Sequence, residues 1–332
     1  MSEPLLDVRD LRTEFRTDDG VVKAVDGVSF TVEPGQVLGI VGESGSGKSV
    51  TCLTVMGLND SKFATSTGEV LFRGEDLLKA SSSRLRTIRG DEIAMIFQDP
   101  MTSLNPVHKI GRQLAEAVVL HNDVSNKQAY ARALELLKAV GIPRAERRID
   151  DYPHQFSGGM RQRVMIAMAL SCRPELIIAD EPTTALDVTI QAQILELIKK
   201  IKDEIDTSVI LVTHDLGVVA GTTDDVVVMY AGKIMERAPT FELFERPGNP
   251  YTKGLLASVP DPSCEDRKDL YQIPGLPPDV AHLGPGCPFA PRCARAEAVC
   301  HETFPPFVEL TPDHHSLCHF AHEVYGSPGL NR

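Results

Sequence analysis

Residues Gly42 to Ser49 read GESGSGKS and directly follow the apolar run Val37 to Val41. They fit the pattern GxxxxGK[ST], in which a buried strand feeds a helix through a glycine-rich loop. Glycine is at ordinary abundance, 25 of 332 residues, so a chain of this length matches the pattern by accident only about one time in a hundred. Gly42, Gly45 and Gly47 let backbone N–H groups turn inward around phosphate where a Cβ would block the approach. Glu43, Ser44 and Ser46 complete that backbone cradle. Lys48 adds a point charge for the β and γ phosphates, and the Ser49 hydroxyl is placed for a Mg²⁺ shell. The helix expected from Gly47 to about Leu58 aims its positive end at the same anion. The ligand that follows is a nucleotide with Mg²⁺.

The length, 332 residues, suits one large core plus a smaller appendage. A net charge of −12 argues against a broad nucleic-acid surface. The start MSEPLLDVRD carries early acids, and no stretch of about 18 apolar residues occurs, so neither export nor a membrane span is expected. Seven cysteines without a secretory signal point to a reducing compartment, where thiols are free, catalytic or metal-bound.

Residues Leu5 to Val32 read as short strands broken by Asp18, Asp19 and Gly20, which predicts an antiparallel flap. Buried-strand runs recur at Val37–Val41, Ile93–Phe97, Leu176–Ala179, Val209–Thr213 and Val226–Tyr230, the texture of a parallel sheet. Between the second and third lie helical stretches, Ile110–Leu120, Lys127–Val140 and Gly158–Leu170, an inserted lobe over about residues 100–172. From Pro274 to Pro312 prolines and cysteines are dense, with little helical or strand periodicity. The expectation is an α/β phosphate-loop NTPase domain over residues 1–245, followed by a small cysteine-containing module over residues 246–332.

The run Leu176–Ala179 ends in Asp180 and Glu181, two acids at the carboxyl end of a buried strand, where ligands of open α/β sheets collect. Asp180 can hold Mg²⁺ through its water shell, while Glu181 can orient and partly deprotonate an attacking water. The reaction that follows is ATP hydrolysis. Ser157, Gly158 and Gly159 open the Gly158–Leu170 helix, and a serine hydroxyl beside glycine N–H groups at a helix N-terminus is a second anion site. One phosphate loop does not need it.

FSGGMRQ, Phe156 to Gln162, resembles the signature of ABC ATPases, with Phe156 and Met160 departing from the commoner LSGGQ. The resemblance runs over most of residues 5–245 and implies several further roles. Gln98 matches the glutamine that reaches the metal and the attacking water; Asp187, in TALD, matches the loop that crosses to a partner cassette. His214 matches the histidine that contacts the γ phosphate and positions water. Phe15 falls where the family stacks adenine, though it reads equally as a core strand residue. The resemblance also implies a second ATPase domain, each ATP lying between one domain's phosphate loop and the other's Ser157, Gly158 and Gly159.

FQDPMTSLNP, Phe97 to Pro106, and NPYTKGLLASVP, Asn249 to Pro260, are similar to ATPase subunits of dipeptide, oligopeptide and nickel importers, with Asn249 where those commonly carry histidine. Pro100 and Pro106 bracket a rigid loop beside Gln98, a reasonable place for a membrane subunit to press. That likeness implies peptide import, two transmembrane permease subunits, a second and non-identical ATPase subunit, an extracytoplasmic substrate-binding protein, and a place on the cytoplasmic face of the membrane. A nickel or other small-solute importer is the alternative. A soluble ABC ATPase acting on nucleic acid or ribosomes is a further one, against which stand the single cassette and the lack of heptads.

Cys287, Cys293, Cys300 and Cys318 give C-x5-C-x6-C-x17-C. Four thiolates suit a [4Fe-4S] cluster or tetrahedral Zn²⁺, free thiols remain a third reading, and the spacing does not decide. Similar cysteines in some peptide-importer ATPases hold an iron–sulfur cluster, so the resemblance implies one here. Its role would be that of a structural staple in a loop-rich segment, although sensing of iron or oxidant could coexist with transport. His314, His315 and His319 read as surface residues, one of which could replace a cysteine ligand, and Cys52, Cys172 and Cys264 read as ordinary thiols.

Overall fold

The computed structural model describes residues 3–18, 20–184, 187–259 and 271–327. Cys264 and the Ala185–Leu186 pair of the TALD run lie outside the described residues. In chain order the strands are β1 (Leu6–Thr17), β2 (Gly20–Val32), β3 (Val37–Val41), β4 (Ala64–Phe72), β5 (Glu75–Asp76), β6 (Ile93–Ile96), β7 (Leu176–Asp180), β8 (Ser208–Thr213), β9 (Asp225–Tyr230), β10 (Lys233–Pro239), β11 (Phe307–Thr311) and β12 (His314–Leu317). The chain divides into two compact units, one of residues 1–32, 37–78 and 213–332, the other of residues 33–36 and 79–212.

In the first unit β1 and β2 form the antiparallel flap, closed at Thr17 opposite Gly20, and β4 and β5 extend it in the order β2-β1-β4-β5. Alternation does the work here: Leu6, Val8, Val28, Phe30, Val32, Val70 and Phe72 are buried, and Asp7, Ser29, Thr31 and the half-buried Leu71 alternate with them. A second set of strands runs β11-β12-β10-β9-β3. β3 and β9 are parallel, and β9 from Val226 to Tyr230 is buried on both faces, which is why it reads as an unbroken apolar run. β10, β12 and β11 add antiparallel.

The strands β11 and β12 fall in or beside a stretch whose sequence carries little strand periodicity, and the reason is chemical. His314 points fully buried toward Glu236 on β10, its Nε2 2.7 Å from the carboxylate, and Ser316 is buried with its hydroxyl donating to the Gly248 carbonyl. Buried polar residues that find partners erase the apolar alternation on which strand recognition depends. His314 is therefore not the surface residue expected from the sequence. His315 stacks on Phe307, and His319 lies 2.9 Å from the Thr303 carbonyl.

Asn249 is buried and caps the helix Pro250–Ala257 by accepting from the Tyr251 N–H. Its amide donates to the carbonyls of Met235 and Leu317. A side chain with both a donor and an acceptor is needed at this junction, and asparagine supplies both.

In the second unit β6, β7 and β8 form parallel ladders, with Ile93 opposite Leu176 and Leu176 opposite Ser208. The helix Ile110–His121 packs on Asn126–Ala139, which packs on Gly158–Ala169. Ile110, Leu114 and Val118 are buried at four-residue spacing, the stripe that drives such packing. The second helix starts with a reciprocal capping box between Ser125 and Gln128. A further helix, Val188–Ile205, buries Ile194, Leu197, Ile198 and Ile201.

Candidate functional site

The phosphate loop lies in the first unit between β3 and the helix Lys48–Val55. Gly42 and Gly47 have φ of 153° and 102°, and a Cβ would collide with the Met229 carbonyl oxygen at the first and with the Ala24 carbonyl oxygen at the second. Both positions demand glycine on grounds of space as well as backbone angle. Gly45, with φ 76°, demands it by angle alone, since a Cβ there would meet nothing within 4 Å. Lys48 is buried, and its ammonium donates to the carbonyls of Gly42 at 2.7 Å and Glu43 at 2.9 Å. The cation thus sits inside its own loop. Phe15 is half-buried on β1, opposite Val22 and Ala64. His214 is exposed, just after β8 and before Asp215, whose side chain caps the helix Leu216–Ala220.

The second unit gathers the acids. Asp180 is buried at the end of β7, and Glu181 follows in a left-handed conformation with φ 46°. A non-glycine residue there is strained by about 1 kcal/mol or more and persists only where its surroundings hold it. The holders are visible. The Glu181 N–H donates to the Val212 carbonyl at 3.0 Å, and one carboxylate oxygen accepts both Gln98 Nε2 and Thr184 Oγ1 at 2.8 Å. Sequence reasoning brought in Gln98 and Glu181 but passed over Thr184, which sits three residues after the acid.

Ser157 is exposed and N-caps the helix Gly158–Ala169, its hydroxyl accepting from the Met160 N–H. A Cβ on Gly159 would lie 2.7 Å from Ile190 Cγ2. Asp187 caps the helix Val188–Ile205 by accepting from the N–H of that same Ile190. Arg163 donates to Gln193 at 3.0 Å, so the two helices are joined at both ends of this contact. Phe156 is buried beneath the guanidinium of Arg148 at 5.6 Å.

Two family models match the chain: ABC transporter over residues 25–184, and oligopeptide/dipeptide transporter, C-terminal region, over residues 235–300. A probable peptide ABC transporter ATP-binding protein, y4tR of Sinorhizobium fredii, is 54% identical over 96% of each chain. The oligopeptide transport ATP-binding protein OppD is 51% identical in Bacillus subtilis, over 94% of this chain and 87% of that one. In Salmonella typhimurium it is 50% identical, over 95% and 93%. The chain belongs to the ABC transporter ATP-binding family. Among solved structures, a dimeric post-hydrolysis state of the ATP-binding cassette MJ0796 bound to ADP and Pi superposes with TM-score 0.64 at 28% identity, over 71% of this chain and 98% of that one. Membership makes this ABC transporter subunit an ATP hydrolase coupled to transport, for which ATP and Mg²⁺ are the expected species.

In the ABC subunit's C-terminal segment, Cys287, Cys293, Cys300 and Cys318 line one small cavity together with Arg295 and His319. Burial pushes Cys287 and Cys318 up to about 11 and raises Cys293, and neighbouring thiolates add to the effect. Among the described residues no group of three or more His, Cys, Asp or Glu is arranged to hold a metal ion. Also among the described residues, no helix is long and apolar enough to cross a membrane.

Proposed function

We propose that this chain is one of two ATPase subunits that power import of peptides, docked at the cytoplasmic face of the membrane on two transmembrane permease subunits served by an extracytoplasmic binding protein. Relatives at about half identity are named for peptide import or oligopeptide transport, which supports peptides over nickel as the cargo. The second ATPase is a related, non-identical chain. The rigid Gln98 loop is a reasonable docking point: Gln113 is buried and exchanges hydrogen bonds with Asn105 and His108, which leaves Val107 exposed.

The phosphate loop, Gly42 to Ser49, receives the triphosphate, with Lys48 turning from its loop carbonyls to the β and γ phosphates. Ser49, Asp180 and Gln98 offer the hard oxygen donors that Mg²⁺ selects, and the ion would neutralise charge on the β and γ oxygens. Phe15 stacks the purine. Glu181 is the general base, and His214 contacts the γ phosphate and positions the water. Ser157, Gly158 and Gly159, with Asp187, serve the ATP held by the partner cassette. Closure of the pair on two ATPs drives the membrane subunits, and hydrolysis reopens it.

One observation carries this reading: the carboxylate of Glu181, on a strained backbone, is aimed by Gln98 and Thr184. A base must be oriented before it can work, and a left-handed glutamate fixed by two donors is oriented. Glu181→Gln should bind ATP normally while turnover falls about 10²-fold or more. ATPase rates and nucleotide titration on the assembled transporter measure both, and a variant that hydrolyses at the parent rate excludes the base role.

The four cysteines are proposed to hold a [4Fe-4S] cluster, with Zn²⁺ as the alternative. Support comes from four soft ligands lining one cavity. Bound, the group would staple a segment with few apolar residues. Metal analysis and a visible absorption spectrum on anaerobically purified protein distinguish the two.

A further inference from the structure

Arg292 lies one residue before Cys293 and 249 residues after Glu43 of the phosphate loop, yet its guanidinium grips that loop. Its two terminal nitrogens donate to the two carboxylate oxygens of Glu43 at 2.5 and 3.0 Å, a fork-to-fork pair. The side chain is buried, 6% exposed, and stays so because its remaining donors are used: Nε to the Pro274 carbonyl at 2.9 Å and a terminal nitrogen to the Tyr230 hydroxyl at 3.2 Å. Glu43 is held a second time through its backbone, whose N–H donates to the Tyr251 hydroxyl at 2.9 Å. Tyr251 is itself clamped between Tyr230 and Phe289, ring centroids 4.7 and 5.1 Å away. A cavity of about 230 Å³ is bounded by Glu43 to Ser46 on one side and by Pro277 to Val280 on the other, so the segment that Arg292 anchors through Pro274 leads into the wall facing the loop.

Lys48 is a further tether on Glu43, through the carbonyl, which also accepts from the Ser46 N–H at 3.3 Å. That tether is lost when the ammonium turns to phosphate, as the proposed function requires. The side-chain ties that then remain on Glu43 are those to Arg292 and Tyr251, neither of which belongs to the loop. We infer that Arg292 is a positioning residue for nucleotide binding: through Glu43 it holds the first turn of the phosphate loop in its binding conformation, so the C-terminal segment sets the affinity of the ATP site. This rests on the phosphate-loop reading above. The physical basis is preorganisation, because a loop ordered before binding does not lose that freedom when phosphate arrives.

The test uses Arg292→Gln, Glu43→Gln, the double variant and Arg292→Lys in the assembled transporter, with ATP affinity by titration and KM and kcat from ATPase rates. Either glutamine substitution should weaken ATP binding about tenfold, with KM rising by a similar factor and kcat changing less. The double variant should be no worse than the worse single, and Arg292→Lys, which keeps charge but loses the fork, should fall between. Unchanged affinity in a folded Glu43→Gln or Arg292→Gln overturns the inference, as do losses that simply add in the double. Should Arg292→Gln fail to fold, Glu43→Gln, altered at a partly exposed side chain, still decides. Lys48→Ala run alongside separates the two levels: if it also leaves ATP affinity unchanged, the phosphate-loop reading fails, whereas if it alone abolishes binding, only the role of Arg292 fails.

Discussion

Eight consecutive residues build the phosphate loop, whereas the cysteine cavity of the same unit draws its four thiols from positions spread between 287 and 318. The loop is shaped by its own backbone: two glycines sit where a Cβ would strike a carbonyl, and Lys48 satisfies the carbonyls that face inward. The cavity is shaped by neighbours, and its thiols are acids pushed toward the neutral form by burial. One site is prepared before its ligand comes. The other, on the proposed reading, would gain its stability from a positively charged occupant that its thiolates bind.

Lys48→Ala breaks the comparison hardest on the loop side. It removes charge-assisted hydrogen bonds worth about 1.5 to 3 kcal/mol each, so ATP affinity should fall about 10²-fold or more. The glycine-determined backbone remains, and the melting temperature without nucleotide should move by only a few degrees. Calorimetric titration and a thermal melt measure the pair; retained affinity would remove the loop from the site. On the cavity side, Cys300→Ser or removal of bound metal with a chelator should lower the melting temperature by about 5 °C or more, a loss of roughly 2 kcal/mol for a unit of this size. If chelation leaves the melt unchanged, the thiols are free and the contrast between a prepared and an occupant-dependent site disappears.

The same contrast governs what could be read from sequence. The loop was legible because its chemistry is contiguous, and β3 and β9 because strands buried on both faces are apolar throughout. Glu181 and Gln98 were legible through order along the chain, but the hydrogen bond joining them and the strained φ of Glu181 are products of folding. Two misses have different causes. The helix Val188–Ile205 announces itself through Ile194, Leu197, Ile198 and Ile201 at helical spacing, and that signal was available in the sequence. The tie between Arg292 and Glu43 was not, because nothing within either segment marks a partner 249 positions away. Likewise β12 hides its identity by burying His314 and Ser316 against Glu236 and Gly248.

The smallest effect is the most specific to the cavity. Burial, with neighbouring thiolates adding to it, pushes the Cys287 and Cys318 thiols up to about 11 from an ordinary 9.0 when no metal is bound. A folded-state pKa above the unfolded one means that the native chain binds the proton more tightly. That contribution to stability is complete below about pH 9 and is lost as pH climbs through about 11. The melting temperature of chelator-treated protein should therefore decline across this window beyond the fall seen in a Cys287→Ser/Cys318→Ser variant, by one or two degrees given partial exposure to solvent. Metal-loaded protein should lack the extra decline, since its thiols are already deprotonated by their ligand. It should instead weaken as pH falls and protons compete for sulfur. Parallel melts of the three preparations from pH 5 to pH 11 read this directly, and matching curves for loaded and chelated protein would mean that the cavity has no occupant to lose.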